Sequence, residues 1–214
     1  MVTCCVTQSS EKKPLVLSDY LRVRFKKIID AIAAFLNSLG LMPNTITLLG
    51  LAGNFGAAVL LAFGYFLPAG LLVLFSGALD GLDGSMARLR KLPVEFGAFA
   101  DSVTDRYSEL ALFGGLFYYY LRQDDWLTAV GVYLAVSGSV LVSYIRARGG
   151  AVGMDTKVGI ASRFERYIIL VISLLFSIPQ IGIWLIAGLA HLTALQRIFD
   201  VRRQAKEKNL IRYQ

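Results

Sequence analysis

The stretch "LDGLDGSMARLRKLPVEFGAFADSVTDR", residues 79–106, sets four aspartates and three glycines inside a chain that is otherwise strongly apolar. Its surroundings decide how it must be read. The chain has 214 residues, of which 56% are hydrophobic and 17% charged, and its mean hydropathy is +0.58. That is too apolar for a soluble domain of this size. A membrane-crossing helix needs about 20 mostly apolar residues. Six such stretches follow one another, near 45–66, 67–90, 95–121, 125–148, 160–178 and 180–200. The expected fold is an all-α integral membrane protein of six transmembrane helices, with Pro43 suited to the first turn of the first one. Connections this short leave no room for a separate soluble domain.

Ahead of the spans, residues 16–38 place Leu17, Leu21, Ile28, Ile32 and Phe35 near one helical face, with Arg22, Lys26 and Lys27 largely elsewhere. This pattern suits an amphipathic helix lying in the membrane interface, with Ser18 as N-cap. A first helix packed on the bundle has the same periodicity. The expected organisation is a polar tail over 1–15, the juxtamembrane helix over 16–38, a membrane domain over 39–205 and a C-terminal tail over 206–214. Cys4 and Cys5 are neighbours, where a disulfide is strained and closes no useful loop, so both read as free thiols. The first fifteen residues lack the apolar run of a signal peptide, which leaves insertion to the spans themselves.

Basic residues give the orientation. With six spans, Lys12, Lys13, Arg22, Arg24, Lys26, Lys27, Arg88, Arg90, Lys91, Arg146, Arg148, Lys157, Arg163, Arg166 and the run from Arg197 to Arg212 all fall on one side. The other side has only Arg122, beside Asp124 and Asp125. Short cytoplasmic loops retain Lys and Arg, so both termini are expected in the cytoplasm. The net charge of +7 follows from this asymmetry and calls for no nucleic-acid partner. It also suits anionic membrane lipids or an anionic substrate.

At about 100° per residue, Asp80, Asp83, Gly84 and Ala87 share one face of the second span, and Gly97, Asp101 and Asp105 form a stripe on the third. Two facing helices can thus bring four carboxylates to one small volume. Unpaired carboxylates in a bilayer cost several kcal/mol each, roughly, and repel one another. Arg88 and Arg106 are too few to neutralise four. A hard divalent cation, Mg²⁺ or Mn²⁺, fits an oxygen-only ligand set. Two such ions suit an in-line phosphoryl displacement, with one carboxylate taking the proton of the nucleophile.

The pattern Asp80-x2-Asp83-Gly84-x2-Ala87-Arg88-x8-Gly97-x3-Asp101-x3-Asp105 resembles, without gap or substitution, the signature of the CDP-alcohol phosphotransferases. Eight positions match by accident on the order of once in ten million chains of this length. The resemblance implies six transmembrane helices, a homodimer, and metal-dependent transfer from a CDP-linked donor to an alcohol with release of CMP. By position it makes Asp80, Asp83 and Asp101 metal ligands, and Asp105 the base, also in contact with a second ion. Gly84 and Ala87 then lie against the nucleotide and Arg88 near its phosphates. Asn44 and Thr47 occupy positions that in the family are often polar and close to the donor phosphates; helix capping and backbone bonding explain them equally well.

The acceptor is a separate question. "SYIRARGG", "GIASRFERYIIL" and "LQRIFDVRRQ" end the fourth span, begin the fifth and end the sixth, all on the side of the aspartates. Arginine forks bind phosphate oxygens in pairs, although positive-inside topology also puts arginines at such ends. These segments resemble the phosphatidylinositol-phosphate synthase branch of the family. That likeness implies that Ser143, Arg146, Arg166 and Arg197 hold an acceptor phosphate, with Arg163 and Glu165 in support, and that the acceptor is inositol phosphate. The branch often has lysine where this chain has Arg146, and glutamate where it has Ser162. Glycerol 3-phosphate is the rival acceptor, and a cation transporter or channel is the rival class. Glu109 continues the Asp101 and Asp105 stripe, either supporting the site or pairing with Arg106. His191, far from the aspartates, reads as packed or hydrogen-bonded, and "FYYY" at 117–120 as an interfacial marker.

Overall fold

The computed structural model describes residues 29–90 and 95–208. Its helices are α1 (Ile29–Ser38), α2 (Pro43–Ala62), α3 (Phe66–Leu89), α4 (Glu95–Arg122), α5 (Trp126–Ala151), α6 (Arg163–Leu175) and α7 (Pro179–Glu207). Pro43 stands in the first turn of α2, where its missing N–H costs nothing. α2 packs on α3 and α4, α5 on α4 and α7, and α6 on α3 and α7. Residues 16–28 of the expected juxtamembrane helix lie outside the described residues. In α1, Ala33 and Leu36 pack with Ile46 and Met86, while Ile32 and Phe35 face outward. Arg90 ties α1 to the end of α3: its Nε donates to Asn37 Oδ1 at 2.7 Å and its Nη2 to Leu41 O at 2.8 Å.

α2, α3, α5 and α7 are long and apolar enough to cross a membrane. Large apolar side chains such as Leu48, Phe55, Phe75, Val130, Tyr133, Leu185 and Leu195 are exposed on their outer faces. This is the architecture of an integral membrane protein. α4 has the length, but Asp101, Asp105, Arg106 and Glu109 interrupt its apolar run. α6 begins later and stops earlier than the 160–178 expected, and its 13 residues rise only about 20 Å. α7 runs past the expected 200 because Asp200, Arg203 and Glu207 pair along its last turns.

The bundle interior contains Leu61, Val73, Leu116, Val132, Leu174, Ile183 and Ile186, interleaved with Ala57, Ala69, Ala129, Ala135 and Ala187. Lipid is as apolar as leucine, so van der Waals contact between closely approaching helices must hold such a bundle together. At Gly115 a Cβ would overlap the Ala58 carbonyl, so this crossing of α4 over α2 requires glycine. At the end of the bundle away from the aspartates, Asp125 caps α5, accepting from the Thr128 hydroxyl at 2.6 Å and its backbone N–H at 3.0 Å. Gln180 of α7 donates to the same carboxylate. The Thr128 bonds hold Asp125 below the usual carboxylate range. Phe117 and Tyr118 are exposed nearby, but Tyr120 of the same aromatic run turns into the core.

Candidate active site

The helical spacing of the aspartates makes α3 and α4 face each other with their carboxylates. Oxygens of Asp80, Asp101 and Asp105 all lie within 4.8 Å of one another. Around an octahedral Mg²⁺ with bonds of about 2.1 Å, opposite ligand oxygens stand about 4.2 Å apart. Adjacent ligand oxygens stand about 3.0 Å apart, so rotation of these side chains toward one another would be needed to seat all three on one ion, and the oxygen-only donor set fits a hard divalent cation. Asp83, one turn along α3, is buried and lies within electrostatic range of Asp80 and Asp101. It accepts from the Thr47 hydroxyl of α2 at 2.5 Å, and that hydroxyl also lies 3.3 Å from Pro43 O. Thr47 thus has the backbone partner its position allowed and a second one on a carboxylate.

Asn44 is exposed on the first turn of α2. Arg88 is exposed and donates to Ser85 Oγ at 2.6 Å, and Ala87 is half-buried beside it. The side of Gly84 is open, since a Cβ there would meet only the Arg88 guanidinium at 3.7 Å. Gly97 on α4 is open as well. Small residues therefore leave room beside the carboxylates, on the face where the four-residue spacing puts it.

α6 contributes a cation that meets two of them. Arg163, its first residue, donates through Nη2 to Asp80 Oδ2 at 3.1 Å and also to Asp105 Oδ1. A guanidinium among clustered carboxylates relieves their mutual repulsion. Ser162 precedes it as N-cap, and its hydroxyl bonds Glu165 instead of a backbone N–H. The serine that departs from the family pattern therefore holds Glu165 at the helix start.

The remaining basic residues form a second layer. Arg166 is only 2% exposed; its Nη1 donates to Ala161 O at 3.0 Å, and its Nη2 lies 3.5 Å from Glu109 Oε1. Glu109 Oε2 lies 3.0 Å from Arg106 Nη1, which donates to Ser143 Oγ of α5. Ser143 in turn donates to Ser139 O at 3.2 Å. Arg197, 4% exposed, spends its donors on two backbone carbonyls, Nε to Val158 O at 3.0 Å and Nη1 to Val142 O at 2.7 Å. Arg146 is exposed, and both it and Arg166 lie within electrostatic range of Arg197. A cavity of about 70 Å³ joins the two layers, lined by Asp80, Asp105, Glu109, Arg163 and Arg166, with Asn54, Ser108 and Tyr167 deeper in the bundle. Tyr167 donates to Val73 O, and Asn54 to Ser108 Oγ.

The segment 152–162 that leads into α6 is laced to α7. Ala161 N donates to Thr193 Oγ1, Ile160 N to Gln196 Oε1, and Gln204 to Asp155 O. Gly159 has φ +137°, and a Cβ there would overlap the Thr193 methyl. A loop whose backbone is satisfied this way can fix the first turn of α6, and with it Arg163 and Arg166. Reading by motif took Arg106 only as a partner for carboxylates and gave no role to Thr193 and Gln196. The last two stand beside Arg197 on one face of α7, a periodicity that could have marked them. Glu109 pairs with Arg106, as one of its two readings had it, and also with Arg166. His191 Nε2 makes a hydrogen bond with Leu134 O at 3.1 Å, far from the acidic residues.

The family model of the CDP-alcohol phosphatidyltransferases matches residues 40–195. The chain is 36% identical to phosphatidylinositol phosphate synthase of Streptomyces avermitilis, over 90% of this chain and 85% of that one. It is 33% identical to archaetidylinositol phosphate synthase of Pyrococcus horikoshii, over 86% of this chain and 96% of the relative. Among solved structures it resembles phosphatidylinositol phosphate synthase of Mycobacterium tuberculosis with CDP-DAG bound. There the TM-score is 0.77 at 31% identity, covering 82% of this chain and 94% of that one. The same enzyme in complex with manganese and citrate matches with TM-score 0.77 and 31% identity, covering 81% and 88%.

Proposed function

The chain belongs to the CDP-alcohol phosphatidyltransferase family, and from that premise we propose that it makes phosphatidylinositol phosphate, or the archaetidyl equivalent. The donor is a CDP-lipid such as CDP-diacylglycerol, the acceptor is inositol phosphate, and CMP is released. The observation that carries this reading is a single cavity with carboxylates on one wall and a buried arginine on the other. One wall suits the chemistry of a pyrophosphate, the other the recognition of a phosphorylated, water-borne acceptor.

In this reading the CDP-lipid enters from the cytoplasmic leaflet, its tails in lipid and its pyrophosphate over the α3–α4 carboxylates. Gly84 and Ala87 leave room for the nucleotide, Asn44 and Thr47 flank the donor phosphates, and Arg88 meets them from the end of α3. Asp80, Asp83, Asp101 and Asp105 would hold one or two ions of Mg²⁺ or Mn²⁺, which supply positive charge to the pyrophosphate oxygens. Arg146, Arg163 and Arg166 hold the acceptor phosphate, with Arg197 behind them, its Nε and Nη1 bound to Val158 O and Val142 O. Ser143 contributes through Arg106, and Glu165 through the start of α6. Arg163 exchanges its carboxylate partners for phosphate oxygens as the site fills. Asp105 takes the proton of the acceptor hydroxyl, whose oxygen forms a bond to the lipid-side phosphorus as the bond to the CMP phosphate breaks.

The same reading takes α2 to α7 as six spans, residues 16–38 as an interfacial helix, and residues 39–205 as the membrane domain, flanked by polar tails 1–15 and 206–214. Both termini and the site then face the cytoplasm, and the active form is a homodimer. The test is CMP release from CDP-diacylglycerol by the purified protein with inositol phosphate, glycerol 3-phosphate or free inositol. Turnover is expected with inositol phosphate, abolished by a chelator and restored by Mg²⁺ or Mn²⁺. Turnover with glycerol 3-phosphate alone overturns the acceptor. Metal-dependent cation flux without CMP release overturns the enzyme.

A further inference from the structure

We propose that Glu109 is a positioning residue for the acceptor phosphate, acting through Arg166. This rests on the acceptor reading above. Glu109 stands one turn beyond Asp105 on α4, with a side chain 16% exposed, and each of its oxygens faces a different guanidinium. Arg106 comes from its own helix and reaches Ser143 of α5; Arg166 comes from α6. One carboxylate thereby ties together the three helices around the basic side of the cavity.

Arg166 is held at two points, by Ala161 O through Nη1 and by Glu109 beside Nη2. Its Nε and Nη2 have no hydrogen-bond acceptor among the described residues, although the side chain is almost wholly buried and lines the cavity. Buried guanidinium donors are costly to leave unmade, so donors aimed into a cavity point to an anionic ligand there. The neighbouring positive charges, Arg106 and Arg163, repel Arg166. Glu109 is the anion that keeps Arg166 at this place against that repulsion, and the three groups Arg106, Glu109 and Arg166 still leave one net positive charge for a phosphate.

The alternative is that Glu109 only neutralises charge, and the two roles predict opposite signs. Losing a bare negative charge near the pocket strengthens phosphate binding, whereas losing the group that aims Arg166 weakens it. The experiment compares wild type, Glu109→Gln, Arg166→Gln and the double variant. It reads calorimetric binding of inorganic phosphate together with KM for inositol phosphate and for the CDP-lipid. For Glu109→Gln, phosphate binding should weaken and the acceptor KM rise by about 10- to 100-fold, the size of coupling between contacting residues of one charged network. The CDP-lipid KM should stay within about twofold, and in the Arg166→Gln background the second substitution should add less than about twofold. Unchanged or tighter phosphate binding overturns the proposal, as does full additivity with Arg166→Gln. If Glu109→Gln does not fold, Glu109→Asp, which keeps the charge one methylene short, should give an intermediate loss, and wild-type affinity there also overturns it. Glu109-dependent binding of inorganic phosphate without turnover of inositol phosphate sinks the acceptor reading and leaves Glu109 in its role.

Discussion

The acidic and basic halves of the site are built in different ways. Its carboxylates come from two consecutive helices, within the run from Asp80 to Asp105, and their geometry follows from helical spacing and one short connection. Its arginines come from α4, α5, α6 and α7, and reach one another only because a loop is laced to α7 and Glu109 bridges between helices. In the acidic half the contacts run from side chain to side chain, Arg163 to Asp80 and Asp105 and the Thr47 hydroxyl to Asp83. The basic half spends many of its donors on backbone carbonyls. A local motif can thus state its chemistry outright, whereas a dispersed cluster mixes residues that face a ligand with residues that hold the frame.

The sharpest way to break this division is Asp105→Asn, which keeps the shape and removes the base. Turnover should fall by about 10²–10⁴-fold, with CDP-lipid binding retained, as measured by CMP release and by ligand-induced thermal shift. Retention of most of the turnover would remove Asp105 from the role of base. The next contrast lies within the basic half. Arg197→Gln, which breaks the bonds to Val142 O and Val158 O, should cost about 2–4 kcal/mol of stability, seen as a lowered melting temperature in detergent. Arg146→Gln, at an exposed position, should leave melting unchanged and raise only the acceptor KM. Equal melting of the two variants would erase the distinction between frame and ligand contact.

A smaller effect is expected at Gly159→Ala, where positive φ and the Thr193 methyl both oppose a side chain. A loss of about 1–3 kcal/mol should show in melting and carry the acceptor KM upward with it, because the loop sets the start of α6. The smallest effect belongs to the far end of the bundle. Asp125 has its carboxyl lowered in the folded state, so its cap contributes stability above the ordinary carboxylate range. That contribution is lost as pH falls through the folded value. Asp125→Asn should flatten the acid limb of a melting-against-pH curve without changing turnover at neutral pH, and an unaltered acid limb would show that the cap does not couple to folding.

Much of the fold was legible because a chain this apolar has few choices. The starts of α2, α3, α4, α5 and α7 fall within a few residues of the expected spans. α6 was overestimated, because Ala161 and Ser162 belong to the laced loop and the helix ends before Phe176. Ser143 and Arg197 show how a motif match can carry a position without its contacts. One is engaged by Arg106 and the other by two carbonyls. Arg163 is the reverse case, placed by resemblance at the acceptor but found on Asp80 and Asp105.

The sequence by itself determined the membrane environment and the carboxylate stripes on α3 and α4, because hydropathy and helical period are properties of neighbouring residues. The tertiary structure alone decided that Thr47 reaches Asp83, that α7 side chains lace the loop before α6, and that Glu109 stands between Arg106 and Arg166. Those pairings join residues distant along the chain. They exist only once small residues have let the helices approach and burial has made unpartnered polar groups costly.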